Sequence, residues 1–320
     1  MEELSWYDIF IEYLYEKYPK KAQLAEEMIN LLCIEREAAY RRLRKEVVFP
    51  AHEIVKIASA WNISLDEIVG INSGLVPFQL QPLNYLEPSK KEMINLQKRV
   101  KAIEHLNNTT NSEYMEVCNK IPRPIYINSM TLYRFKIFKW AYQYNIDEVY
   151  RPYSKIIIPE KICQQFEKYH KSIKNTTTSS FILDQMIFEH FVYDVKYFHS
   201  ILLITDEEKE LLKERLHFTL DYLNEIANKG CYPDTQKKVN IYISQLNINT
   251  NYSYYFTEKL KSCRIHAFGK FDICSYDTNM VANFRNWSNL NKRAAVQISE
   301  TNEKNRIDFF SKQRKLIDSL

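Results

Sequence analysis

Glycine is scarce in this chain, with four residues in 320, at Gly70, Gly74, Gly230 and Gly269. No two of them stand at a Gly-x-Gly or Gly-x4-Gly-Lys spacing. That excludes a Rossmann dinucleotide loop and a P-loop, which both need glycine where the backbone closes on phosphate. A large β-sandwich is disfavoured for the same reason, since its tight turns lean on positive φ. Paired cysteines are also missing: Cys33, Cys118, Cys163, Cys231, Cys263 and Cys274 are scattered, without a Cys-x-x-Cys. This speaks against a disulfide framework or a structural zinc site and for free thiols in a reducing compartment. Long uncharged apolar runs are absent too. The most apolar stretch, Phe181 to Ile204, contains Asp184, Glu189, His190, Asp194, Lys196 and His199, too many polar groups for a membrane span. The opening MEELSWYDIF is acidic where a signal peptide is basic, so a cytoplasmic protein without membrane contact is expected.

What is present is a core-forming composition, 45% hydrophobic and 26% charged, rich in aromatics with Tyr 23 and Phe 17. That balance suits a folded chain of about two domains. The net charge of +4 is too small to imply nucleic acid by itself, and residues 1–70, with nine Lys/Arg against thirteen Asp/Glu, are acidic. Within that acidic segment, however, Arg36, Arg41, Arg42, Arg44 and Lys45 fall inside ten residues. A local basic face matters more to a groove contact than a domain's sum.

Hydrophobic periodicity predicts five short helices before residue 70. They run over Leu4 to Tyr18, Ala22 to Leu32, Glu35 to Glu46, His52 to Trp61, and the turn Ser64 to Val69, where Ser64 and Glu67 form a capping box and Gly70 a stop. The proline-bearing stretch from Val76 to Pro88 reads as a linker. In the following helix, Ser89 to Asn107, Met93, Leu96, Val100 and Ile103 recur at 3-4-3 spacing. Two readings stay open for this seam: an amphipathic helix lying on its own domain, or a dimerisation seam of two heptads. Beyond it, helices are expected at Leu132 to Tyr144, Glu160 to Lys171, Phe181 to Leu203, Asp206 to Ala227 and Glu303 to Ser319. A strand is expected at Lys238 to Ile248, with Ser262 to Ser275 pairing beside it. The fold class read from this pattern is mainly α: a five-helix head over residues 1–75, a linker and possible dimerisation helix over 76–112, and a larger helix-rich α+β domain over 113–320 for sensing or oligomerisation.

The run from Met28 to Gly70, MINLLCIEREAAYRRLRKEVVFPAHEIVKIASAWNISLDEIVG, carries the strongest functional signal. With Leu32-Cys33-Ile34 at a turn, Glu35 to Arg44 as a polar arginine-rich helix and Ser64 to Val69 closing the unit, it resembles the Cro/lambda-repressor-like (XRE-type) helix-turn-helix family. Cys33 and Lys45 stand where that family usually has glycine. The resemblance implies a lambda-repressor-like helix-turn-helix domain that binds double-stranded DNA as a transcriptional regulator, commonly as a homodimer on two half-sites. The residue types fit such a role. Ile34, Ala39 and Leu43 can bury, while Arg36, Glu37, Tyr40, Arg41 and Arg44 project on the open side. Arginine binds guanine O6/N7 bidentately and glutamate accepts from cytosine N4. Arg42, Lys45, Lys20, Lys21 and Gln23 suit phosphate contacts. Which of Arg41 and Arg42 faces the bases stays open from sequence.

Other signals read as structure rather than chemistry. His190 and Asp194 stand one helical turn apart with Glu189 and His199 near, but on a densely apolar stretch, so no metal is expected. Cys263, His266 and Cys274 lack a third group that would make a thiol nucleophile. The run from Tyr133 to Tyr142 interleaves aromatics with Arg134, Lys136 and Lys139, as single-strand binders do. Its helical spacing instead fits a core helix with a solvated edge. Tyr252 to Phe256 fits a ligand pocket or core packing equally. No enzyme activity and no cofactor are expected. The alternatives are a ligand-binding protein or enzyme that uses the head for targeting or assembly, and a protein-interaction adaptor. An effector of the regulator, small molecule or protein, is left open.

Overall fold

The computed structural model describes the chain except residues 1–4, 62, 66, 67, 69–75, 105–108, 127, 128, 145–151, 259, 268 and 270. It divides into two compact units, Met1–Pro77 and Phe78–Leu320. Taken together they are mainly α, with twelve helices and one eight-stranded mixed sheet among the described residues. No described helix is long and apolar enough to cross a membrane.

In the first unit, α1 (Trp6–Lys17) begins at a capping box. The Asp8 N–H donates to Ser5 Oγ and the Ser5 N–H donates to Asp8 Oδ2. Next come α2 (Lys21–Leu32), α3 (Arg36–Leu43) and α4 (Ala51–Trp61), the last starting behind Pro50, where a missing N–H costs nothing. Phe10, Leu14, Leu24, Met28, Ala39 and Ile57 form a fully buried core. Ala39 is the fully buried residue of α3 in this core, where a small side chain allows close packing. Phe49 meets Phe10 edge-on at 5.9 Å, and its N–H donates to the Tyr7 hydroxyl at 3.1 Å, which ties the segment after α3 back to α1. Of the expected fifth turn, Ile68 is buried in this core and its N–H reaches the Ser64 carbonyl at 3.4 Å. Asp66, Glu67, Val69 and Gly70 lie outside the described residues.

The second unit runs β1 (Gln79–Gln81), α5 (Lys90–Glu104), β2 (Glu113–Cys118), α6 (Arg123–Tyr126), α7 (Met130–Gln143), α8 (Glu160–Lys174), β3 (Thr178–Leu183), α9 (Glu189–Ser200), α10 (Asp206–Lys229) and β4 (Lys238–Ser244). It continues with β5 (Tyr252–Phe256), β6 (Lys261–His266), β7 (Asp272–Ser275), α11 (Thr278–Asn291), β8 (Ala295–Gln297) and α12 (Glu303–Asp318). The strand order is β1-β7-β6-β5-β2-β3-β4-β8. β2, β3 and β4 are parallel and joined through helices, while β5, β6, β7 and β1 extend the sheet antiparallel from β2. Alternation along each strand separates two faces. Tyr114, Phe181, Ile241 and Tyr255 belong to the large helix-covered core, and Met115, Val117, Ile182 and Tyr254 to a smaller one with Val281 and Phe284 of α11. The longest helix, α10, is capped by Thr205 and Glu208 at its start and ends at Gly230, whose φ of +64° is the left-handed conformation a glycine adopts freely.

Three expectations are corrected here. Phe181 to Leu203 is not one helix: Phe181, Ile182 and Leu183 end the central strand β3, and α9 starts at Glu189. A strand buried on both faces is continuously apolar and lacks the alternation that would reveal it. The segment 76–112 is not a linker with a dimer helix, because the second unit starts at Phe78 and β1 pairs with β7. Leu96, Val100 and Ile103 of α5 are buried in the unit's own core, as in the reading of an amphipathic helix lying on its own domain. The hairpin β6–β7 forms where expected but joins β5, not β4. Tyr252 to Phe256 is the strand β5 itself.

Candidate functional site

In the first unit the candidate surface is built on α2, a turn and α3. Cys33 closes α2 in the left-handed region at φ 57°, ψ 45°, and its N–H caps the Ile29 carbonyl. Lys45 ends the segment after α3 at φ 63°. Both positions where glycine would be easiest therefore take up the left-handed conformation with a side chain in place. At 100° per residue, Arg36, Tyr40, Arg44, Glu37 and Arg41 span an arc of about 140° on α3. Arg36, Glu37, Arg41 and Arg44 are exposed and Tyr40 is half-buried.

Arg42 lies about 100° beyond that arc, against α4. Its Nε and Nη2 donate to both carboxylate oxygens of buried Glu53 at 2.7 and 2.8 Å, and Nη1 reaches the Ala38 carbonyl at 3.2 Å. The two arginines differ in setting: Arg41 is 54% exposed and Arg42 is 14% exposed in a bidentate pair. A phosphate contact by Arg42 would strip this buried carboxylate of its partner. Lys45 pairs with Asp8 while staying exposed. Arg44 bridges Glu46 at 2.6 Å and Glu37 at 2.8 Å, which raises the guanidinium's pKa further and lowers that of Glu46. Arg36 lies over the Tyr40 ring at 5.9 Å. Lys20, Lys21 and Gln23 are exposed at the entry to α2.

In the second unit the sheet and its helices enclose a cavity of about 220 Å³. It lies beyond the carboxyl end of β2, where the parallel half of the sheet meets the antiparallel half. Strand register sets its floor: Glu116 of β2 faces Ser253 of β5, which faces Arg264 of β6, and His266 faces Asp272 one pair further on. Arg123 donates from Nη1 and Nη2 to Asp272 at 2.9 and 3.0 Å, and His266 Nδ1 lies 3.3 Å from the same carboxylate. Burial opposes the Asp272 charge, yet Arg123 and its hydrogen bonds hold the carboxyl well below its usual range. Burial pushes His266 down against the pull of Asp272, and pushes Glu116 up even though Tyr114 donates to Glu116 at 2.5 Å. The walls are aromatic, with Tyr85, Tyr126, Tyr133, Trp140 and Phe166.

The remaining candidates resolve into structure. Asp194 engages Lys139 and His199 meets Asp206 at 2.9 Å; no three His, Cys, Asp or Glu side chains converge as a metal set among the described residues. Cys263 faces the smaller core, while His266 and Cys274 lie on the cavity side of the sheet, so Cys263 and His266 do not pair. The cations of α7 do not form a solvated edge: Lys136 sits over the Tyr126 ring at 3.2 Å and Arg134 over Tyr153 at 4.2 Å. Arg123, Arg264 and Asp272 were invisible as site residues in the sequence. The only trace was charge at the inward positions of a predicted hairpin, legible once the buried face is known. Comparisons of the chain with family models, curated proteins and solved structures gave no match.

Proposed function

We propose that this chain is a sequence-specific DNA-binding transcriptional regulator that reads a DNA half-site by placing α3 in the major groove. The observation that carries the reading is the α2–turn–α3 unit. One side of α3 is seated by Ala39 and Leu43, and the Arg36–Tyr40–Arg41–Arg44 side is open to solvent. Arg36 and Arg41 read base edges, each bidentate pair with guanine discriminating by about 1–3 kcal/mol. The internal pairs of Arg44 with Glu37 and Glu46 lie in water, where such bridges are weak, and they exchange readily for contacts with DNA. Lys20, Lys21 and Gln23 meet phosphate and set the register without specifying sequence. Arg42 holds α3 to α4 and touches no DNA. One first unit covers one half-site, and a symmetric operator implies two copies. Occupancy of the operator is the whole mechanism, with no chemistry on the DNA.

The test is competition binding of the full chain to fragments selected from a random duplex pool, alongside an Arg36→Ala/Arg41→Ala variant. Loss of sequence preference with residual salt-dependent binding is the expected result. A folded double variant with undiminished preference would remove α3 from the reading surface.

A further inference from the structure

We propose that the cavity of the second unit is a binding site for a small aromatic carboxylate, whose acid group pairs with Arg264. The anchor is a buried cation with no salt bridge of its own among the described residues, although the Tyr169 and Tyr255 rings and the Asp272 charge favour it. Arg264 is 7% exposed and makes one hydrogen bond, from Nη1 to the Tyr169 hydroxyl at 2.9 Å. No carboxylate pairs with it, and its Nε–H has no acceptor among the described residues. A buried guanidinium without an anion is costly, and native folds avoid leaving one so. Asp272, the nearest acid on the floor, is taken up bidentately by Arg123. Glu116 stands two strands away across Ser253, a distance of about 10 Å.

The surroundings are electropositive. Lys120, Arg123, Lys136, Lys139 and Arg264 line the cavity against the carboxylates Glu116, Asp194 and Asp272. Arg99 lies close enough that burial and the Arg264 charge together push its pKa down. The charge that completes this site is negative, and arginine pairs with a planar carboxylate through two parallel hydrogen bonds.

The rest of the ligand follows from the walls and the size. Tyr85 stacks on Phe166 with 24° between planes, Tyr133 meets Phe166 at 4.7 Å and Trp140 meets Tyr85 edge-on at 5.4 Å. Such a box receives a flat ring. A volume of about 220 Å³, at the small end of ligand pockets, fits a ligand of one or two rings. The exposed His190 and Gln143 mark the mouth, and Arg264 the deep end. None of this depends on DNA binding by the first unit, so failure of either leaves the other standing.

The experiment titrates the full chain with benzoate, phenylacetate and indole-3-carboxylate. The controls are the matching amides, phenyl phosphate and inorganic phosphate. Calorimetry and the tryptophan fluorescence, to which Trp140 in the cavity wall contributes, are read in wild type and in Arg264→Gln and Arg264→Lys. At least one acid is expected to bind and to alter tryptophan emission, with its amide weaker by about thirtyfold or more. Arg264→Gln should lose the same factor, and Arg264→Lys should recover part of it. Absence of binding by every acid, equal binding of acid and amide by wild type, or preference for either phosphate would each overturn the proposal. The acid-to-amide comparison needs only wild type, so a variant that fails to fold does not blunt it.

Discussion

Arg42→Ala should loosen the first unit far more than Arg41→Ala, although the two arginines are neighbours on one helix. Arg42 presents two nitrogens to Glu53 at 2.7 and 2.8 Å, with 14% and 9% of the two side chains exposed. Removing one member of a buried pair leaves the other charged and unpaired, a cost of about 3–5 kcal/mol. Because Arg42 keeps some contact with water, the lower end applies, about 3 kcal/mol or a factor of about 150 in an opening equilibrium. Arg41, half exposed and only 3.7 Å from the exposed Glu46, should fall within about 0.5 kcal/mol of wild type. Because the two units make a single unfolding midpoint ambiguous, the assay is native-state hydrogen exchange of the amides of α3 and α4 in the full chain. Protection should drop by about two orders of magnitude in Arg42→Ala and stay put in Arg41→Ala. Equal protection in the two variants would refute the division of labour between them. Arg42→Ala/Glu53→Ala should recover part of the loss by removing the stranded carboxylate.

Cys33→Gly should stabilise the first unit by about 0.5–1 kcal/mol, because a left-handed non-glycine residue costs about 1–2 kcal/mol while glycine's extra entropy returns part of it. Weaker exchange protection of α2 and α3 in that variant would contradict the left-handed turn. Ile103→Ala should cost the second unit about 2–5 kcal/mol without changing the molar mass in light scattering, since this side chain is buried in its own unit. Dissociation of a wild-type dimer by that variant, with its fold intact, would restore the seam. His170 is held near pKa 3 by burial and then by Lys174, against about 6.5 when unfolded. Above 6.5 its contribution is fully present. As pH falls from 6.5 towards 3, the unfolded chain gains a proton that the folded chain lacks, and stability drops by up to about 1.4 kcal/mol per pH unit. His170→Gln should flatten that slope in denaturant midpoints measured across the range, and an unchanged slope would refute the assignment.

The helices of the first unit were legible because each shows one narrow apolar stripe bounded by a stop, as with Leu24 and Met28 before Cys33. α10 was legible as a helical stretch as well, and the structure adds the capping box and Gly230 that bound it. The central strands were not. Phe181-Ile182-Leu183 is apolar on both faces, and Tyr114-Met115-Glu116-Val117 hides its alternation by burying a carboxylate. The cavity was illegible for a related reason. Its polar residues come from β2, α6, β5, β6 and β7, and only strand register brings Glu116, Ser253 and Arg264 into one row. On α3 the sequence could separate the buried Ala39 and Leu43 from the exposed arginines, but it could not separate Arg41 from Arg42. That distinction rests on a partner eleven residues away on another helix.

The most direct measurement is selection from a random duplex pool by the full chain, scored for sequence at physiological salt. The account predicts an enriched motif with guanines at fixed positions, whose preference weakens at those positions when Arg36 or Arg41 is replaced. No enriched sequence from a chain whose α3 and α4 amides are protected, even at low salt, would contradict it.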